Sequence, residues 1–180
     1  MILTKHFLNK AISTLSKSAA ERTHYYRSLN EIKHILLFCE AKYWKNIFQC
    51  IESLKTMGKH VHVCVYTQKT DDTPIWDYAY VLVEAEKDIN LWGFPDNRIK
   101  KQINGMSIDM LLDLTSGEIP VMRYLMLQHP APFKVGAKRA GDEDFYDLSI
   151  VMKDGEHDIP FLFGQIINYL KTIRSKKEVV

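Results

Sequence analysis

The sequence lacks the glycine patterns that nucleotide-binding loops use. Its 180 residues include eight glycines, and neither G-x-G-x-x-G nor G-x-x-x-x-G-K occurs among them. The first pattern lets a backbone approach a pyrophosphate, and the second cradles nucleotide phosphates. Their absence argues against a standard NAD site and against a P-loop nucleotidase, and we expect no cofactor.

Cysteine is scarce and is not arranged in pairs. The three cysteines, Cys39, Cys50 and Cys64, are odd in number and show no C-x-x-C spacing. A disulfide framework or a structural zinc site would need paired or clustered cysteines. We therefore expect free thiols and a reducing cytoplasm.

The sequence also lacks a dominant charge and long apolar runs. Its 24 basic and 22 acidic residues give a net charge of +2, which does not argue for nucleic acid or membrane binding. No apolar run has the length of a transmembrane helix. Polar residues at Lys5, His6, Asn9 and Lys10 interrupt what would be the core of a signal peptide, so we expect the chain to stay in the cytoplasm.

One stretch organises the rest of the chain. Ile108 to Leu114 has the length and apolar content of a buried strand, and Thr115-Ser116-Gly117 is a polar turn. A helix from about Pro120 ends at the prolines after His129, and an apolar strand begins at Phe133. This order predicts a βαβ unit, whose crossover is almost always right-handed.

A second βαβ unit precedes it. We predict a strand at Ile32–Phe38, a helix at Glu40–Thr56 and a strand at Val61–Tyr66. Between the two units, weaker patterns predict a polar loop at 68–77, a strand at Tyr78–Val83, a short strand at Asp88–Trp92 and a helix within Asp96–Ile103. After them we predict a loop at 137–143, a strand at Asp147–Met152 and a long helix capped by Asp158.

These elements predict a three-layer α/β/α fold, Rossmann-like or flavodoxin-like, with a mostly parallel sheet of about five strands. The division that we expect is an N-terminal amphipathic helix and connector at 1–30, a single α/β domain at 31–174 and a tail at 175–180. The N-terminal helix carries Leu3, Phe7, Ala11 and Leu15 at four-residue spacing and is basic. It could lie on a membrane surface or bind a partner, but its apolar stripe is of ordinary width and favours packing on its own domain.

A candidate site follows from the position of the turn after the strand at Ile108–Leu114. Ligands of open α/β sheets bind at the carboxyl ends of the strands, where Asp113, Thr115 and Ser116 fall. A basic cluster, Lys134, Lys138 and Arg139, lies in and just beyond the next strand, and Lys138 is the member that we select. These four residues are the predicted ligand-binding residues, and the helix N-terminus after them would favour an anion. The alternative interpretation, which capping statistics favour, is that Asp113 and Ser116 only cap the helix and that the lysines are solvated.

Two further groups of residues are weaker candidates. Cys39 stands at a strand end before a helix, but the arginine that a phosphatase places six residues later is a lysine here, Lys45. His60 and His62 have a metal-ligand spacing, yet no sequence cluster supplies the third or fourth ligand. We therefore predict no catalytic residue and no metal site.

The chain resembles an uncharacterised bacterial domain-of-unknown-function family. The motifs that carry the resemblance are Asp88–Pro95, Asp109–Leu114, Pro120 with Arg123-Tyr124-Leu125, Phe133–Gly136, Tyr146–Leu148 and Tyr169-Leu170. The family has no established activity, so the resemblance implies the fold and no chemistry.

Residues 108–136 are also similar to the acceptor-side half of heptosyltransferase-like glycosyltransferases. This similarity implies shared architecture, because the donor-binding domain of those enzymes has no counterpart in the chain. The function that we expect is a non-catalytic module that binds a partner or a small ligand, with a homodimer as one such assembly. The alternative is a small enzyme or anion-binding domain related to that acceptor half.

Overall fold

The computed structural model describes residues 2–20, 26–69, 79–139, 145–152 and 158–173. The helices are α1 (Ile2–Ala20), α2 (Trp44–Thr56), α3 (Asn97–Asn104), α4 (Pro120–Gln128) and α5 (Ile159–Thr172). The strands are β1 (His34–Glu40), β2 (His60–Thr67), β3 (Tyr80–Glu84), β4 (Met110–Asp113), β5 (Phe133–Lys138) and β6 (Leu148–Val151). The predicted tail at 175–180, and most of the predicted loops at 68–77 and 137–143, lie outside the described residues.

The described strands form one six-stranded sheet in the order β3-β2-β1-β4-β5-β6. Every neighbouring pair is parallel, including β1 with β4. The predicted three-layer fold is therefore confirmed, with one strand more than expected. This order is that of the dinucleotide-binding fold, not of flavodoxin. The chain leaves the sheet centre in both directions from β1 and β4, which makes their carboxyl ends the topological switch point.

Two apolar layers cover the faces of the sheet. On one face, α2 and α5 bury Ile47, Ile51, Ile166 and Leu170 against the sheet. On the other face, α3 and α4 bury Ile99, Ile103, Met122, Leu125 and Met126. Central strands such as β1 read as unbroken apolar runs because both of their faces are covered.

Polar residues at the element boundaries explain where the elements start. Asp109, just before β4, accepts hydrogen bonds from the backbone N–H groups of Lys33 and His34 at 2.9 and 2.8 Å. The acid therefore ties the start of β4 to the start of β1. Asp158 caps α5 by accepting from the Phe161 N–H at 2.9 Å, as the sequence predicted.

The segment predicted as a short strand at Asp88–Trp92 is not a strand. It is a tight turn in which the Asn90 side chain accepts from the N–H groups of Trp92 and Phe94 at 2.9 and 3.1 Å. Gly93 adopts φ +88, and a single antiparallel bridge joins Ile89 to Pro95. Turn chemistry therefore overrides the apolar composition of this segment. The helix predicted next to it, α3, is present.

Helix α1 packs on α4, as the width of its apolar stripe predicted. Among the side chains of α1 that the structure describes, Leu8 and Ala19 are buried. Phe7 is 47% exposed and contacts the Trp92 ring edge-on at 4.9 Å between centroids. Leu8 faces the turn, where a Cβ on Gly93 would lie 3.3 Å from two of its carbon atoms. The docked position of α1 therefore depends on a glycine in that turn.

We expect Gly93→Ala to destabilise the protein more than Gly58→Ala. Both glycines have positive φ, +88 and +74, which costs an alanine about 1–2 kcal/mol. A Cβ at Gly58 would meet nothing within 4 Å, whereas one at Gly93 would press on Leu8. Urea unfolding of both variants measures the difference, and equal losses would show that Leu8 does not constrain the turn.

Candidate functional site

The switch point lies between the ends of two central strands. Glu40 ends β1 and Asp113 ends β4, and the register pairs Asp113 with Phe38. Ser116, in the turn after β4, lies beside Glu40 on the same rim of the sheet. This is the crevice where open α/β sheets bind their ligands.

Glu40 spans this crevice. One carboxylate oxygen accepts from the Ser116 N–H at 2.7 Å and from the Ser116 hydroxyl at 2.5 Å. The other pairs with the Lys42 ammonium at 2.8 Å. Burial raises the pKa of Glu40, but the hydrogen bonds from Lys42 and Ser116 outweigh burial and leave the pKa below its ordinary value. The side chain is therefore an ionised carboxylate with only 7% of the residue exposed.

Asp113 is the centre of a second, fully buried network. One oxygen accepts from the N–H and the hydroxyl of Thr115 at 2.8 and 2.7 Å. The other accepts from the Tyr146 hydroxyl at 2.5 Å and pairs with Arg139 at 3.2 Å. Arg139 also donates to the Thr115 carbonyl at 2.7 Å. The network thus joins the turn after β4 to the residues that follow β5.

Tyr146 reaches Asp113 only because residue 136 is glycine. A Cβ at Gly136 would lie 2.7 Å from one ring carbon of Tyr146 and 3.1 Å from the Asp113 Cβ. Burial, followed by the charge of Asp113, raises the pKa of Tyr146 well above its ordinary value. The hydroxyl therefore keeps its proton and serves as a hydrogen-bond donor to the carboxylate.

The structure brings three of the four predicted ligand-binding residues together. Asp113 and Thr115 are buried beneath the rim and bonded to each other, and Ser116 is half-buried against Glu40. Lys138 is exposed at the end of β5. The alternative interpretation as helix caps is wrong, because the N-cap of α4 is Ile119, which makes no side-chain cap. The ligand-binding role of the four residues stays a prediction.

Two residues of the site, Glu40 and Tyr146, were not predicted, and Arg139 was named only as part of the basic cluster beside the site. The sequence interpretation placed Glu40 in the first turn of a helix, although a 3₁₀ turn at Ala41–Tyr43 separates β1 from α2. The signal that could have found it is its position directly after the apolar run of β1, at the same strand end as Asp113. Tyr146 carries no local signal of this kind.

Tyr66 lines two cavities at this rim, both formed by described residues. The smaller, of about 100 Å³, has a lining that is about half polar and consists of Glu40, Lys42, Thr67 and Gln68 besides Tyr66. The larger, of about 220 Å³, is mainly apolar. Its lining includes Leu8 and Asn9 of α1, Ile89 and Leu91 of the turn, and Ile119 and Val121 at the start of α4.

A third cavity lies at the amino ends of the strands, opposite the switch point. It has a volume of about 450 Å³ and is lined by residues of α1 and by the segment from Leu127 to Lys134. The Lys134 ammonium lines it but donates to the Met126 carbonyl at 2.9 Å. This cavity lies away from the switch point and contains none of the predicted site residues.

The weaker candidates are placed as follows. Cys39 is fully buried, and burial raises the pKa of its thiol well above the ordinary value, which disfavours a reactive thiolate. All three cysteines are free and buried.

The ring of His34 stacks on those of His60 and His62 at centroid distances of 5.0 and 6.2 Å. In the parts of the chain that the structure describes, no group of three or more His, Cys, Asp or Glu could hold a metal ion.

We expect Asp113→Asn to cost about 3 kcal/mol of stability, because it leaves the largely buried Arg139 without its counter-charge. Tyr146→Phe removes one charged hydrogen bond and should cost about 2 kcal/mol. The double variant should cost less than the sum, since both changes disrupt one network. Glu86→Gln, at an exposed acid that follows β3 at the same rim, is the control and should change stability by less than about 0.5 kcal/mol. Denaturant titration measures all four, and an Asp113→Asn loss no larger than that of the control would contradict the network.

The stabilising effect of Glu40 should depend on pH. Its folded-state pKa lies below the ordinary value of 4.5, so the ionised form favours the folded state. The contribution is fully present above about pH 4.5 and is lost as the pH falls through the lower, folded-state pKa. The difference in unfolding free energy between wild type and Glu40→Gln should therefore shrink on acidification. A difference that grows below pH 4.5 would refute this assignment.

None of the helices in the described ranges has the length and apolar content that crossing a membrane requires.

No curated protein and no solved structure matches the chain. These comparisons therefore offer no support for the similarity to heptosyltransferase-like enzymes. The sequence of residues 3–173 does match one family model, described as a family of unknown function, DUF6913. The match spans nearly the whole chain, and the protein therefore belongs to the DUF6913 family.

Proposed function

We propose that the protein is a non-catalytic module that binds a small ligand at the carboxyl edge of its sheet. The observation that carries the proposal is the apolar cavity of about 220 Å³ at that edge. Ligand sites are typically concave and mostly apolar, with a few polar groups that orient the ligand. Here Tyr66 connects the apolar lining to the polar cavity at Glu40 and Lys42.

Within this proposal, the predicted residues have different roles. Asp113 and Thr115 support the rim from below, because their polar groups already bond to each other and to Arg139. Ser116 holds Glu40 in place, and Lys138 contributes positive charge at the outer rim. We further propose that the protein acts in the cytoplasm, which suits its three free thiols, and that any homodimer leaves this edge open.

The alternative is a small enzyme or an anion-binding domain at the same edge. Lys138 favours an anion, but the Ser116 N–H that would bind one already donates to the ionised Glu40 carboxylate. An incoming phosphate would have to displace this internal anion. The geometry therefore favours a ligand that is not an anion, and we keep anion binding as the second candidate.

The test fills the apolar cavity without disturbing the core. Asn9 is an exposed residue that lines the cavity, and Lys10 is its exposed neighbour on the same helix and does not line it. We expect wild type to bind N-phenylnaphthylamine, a neutral apolar fluorophore. Asn9→Trp should weaken this binding about tenfold or more because the indole takes the space. Lys10→Trp is the matched control and should bind the fluorophore like wild type.

Fluorescence titration measures the three affinities, and circular dichroism confirms that the variants fold. Absence of binding to wild type would overturn the proposal. Equal weakening by Asn9→Trp and Lys10→Trp would also contradict it, because binding would then not depend on this cavity.

A further inference from the structure

We infer that the ligand carries an ammonium group that pairs with Glu40 and an apolar group that occupies the larger cavity. The inference rests on the proposed function and names the chemical class of its ligand. Primary amines with an alkyl or aryl group, and α-amino acids with an apolar side chain, share this chemistry.

The first support is that Glu40 is held in place before any ligand arrives. Two donors of Ser116, its N–H and its hydroxyl, fix one carboxylate oxygen at 2.7 and 2.5 Å. The glutamate side chain is 9% exposed, so few water molecules compete for it. A rigid, poorly hydrated carboxylate is a strong receptor for an ammonium group, because little order is lost on binding.

The second support is that the other carboxylate oxygen is covered by a displaceable group. The Lys42 ammonium lies 2.8 Å from it, but the lysine side chain is 58% exposed. Lysine has a flexible stem, so its ammonium group can move into solvent. The protein thus already places an ammonium group on Glu40, and a ligand ammonium would replace it.

The third support is the surroundings of the carboxylate. Tyr66 lines the cavity that holds Glu40 and also the apolar cavity, so a ligand headgroup at Glu40 could extend along the ring into the apolar space. Aromatic faces favour cations over anions. The Lys42 ammonium already lies 4.8 Å from the centroid of Tyr43, which shows that an ammonium group fits beside the aromatic residues of this rim.

The experiment compares ligands that differ only in the headgroup. Isothermal titration calorimetry at neutral pH would measure phenethylamine, phenylethanol and phenylpropanoate against the full-length chain. We expect phenethylamine to bind at least about tenfold more tightly than the other two, a ratio within the range measured for single close charge pairs. Phenylalanine separates the two sources: binding at least as tight as that of phenethylamine assigns the site to amino acids, and weaker binding assigns it to amines.

Two pairs of variants test the role of Glu40 directly. Glu40→Gln should remove the preference for the amine, whereas Glu118→Gln, with the same change in charge, should retain it. Lys42→Met removes the competing ammonium group and should strengthen phenethylamine binding several-fold. Lys45→Met, at an exposed position in the first turn of α2, should leave it unchanged. The lysine variants do not alter the hydrogen bonds of Glu40 to Ser116, so they remain informative if Glu40→Gln fails to fold.

The outcomes separate this inference from the proposed function. If N-phenylnaphthylamine binds in the cavity but the amine has no advantage, the ammonium inference is wrong and the cavity proposal stands. Preference for phenylpropanoate would overturn the inference in favour of an anion. If neither the fluorophore nor any amine binds, both proposals fail.

Discussion

The structure depends on the burial of one carboxylate at the end of a central strand. Asp113 has no exposed surface, and a buried charge is tolerated only when it is paired and hydrogen-bonded. Its partners come from three places in the chain, namely Thr115, Arg139 and Tyr146. The hydrogen bonds and the ion pair of Asp113 therefore fix the positions of the turn after β4, the residue after β5 and the segment that leads into β6. The same constraint requires a glycine at position 136, because any side chain there would displace Tyr146.

This constraint shapes the chemistry of the rim above it. The turn that Asp113 fixes presents the Ser116 N–H and hydroxyl to Glu40, on the neighbouring strand. In dinucleotide-binding folds with this strand order, the switch point receives the ligand's phosphates at a glycine-rich loop. Here the loop after β1 is the glycine-free segment Ala41–Tyr43, and the charge at the switch point is the protein's own carboxylate. The same architecture therefore presents a negative rather than a phosphate-accepting centre.

The fold could be predicted from the sequence further than the site. Unbroken apolar runs such as Ile35–Phe38 marked the central strands, and the paired βαβ units implied a parallel sheet. Asp113 was predicted because an acid at the end of an apolar run stands out locally. Glu40 and Ser116 are 76 residues apart, and Tyr146 is 33 residues from Asp113, so no local pattern links them. Their contacts exist only once the strand order is known.

The N-terminal helix connects the stability of the fold to the cavity. Leu8 and Asn9 form part of the cavity wall, and Leu8 also rests on the turn at Gly93. The described apolar surface of α1 is only partly buried, with Ile12 and Leu15 half-buried. A ligand that contacts α1 binds only the state in which α1 is docked and must therefore stabilise that state. Under the proposed function, occupancy of the cavity and docking of α1 are therefore thermodynamically linked, and a change that loosens the helix is expected to weaken ligand binding without altering Glu40.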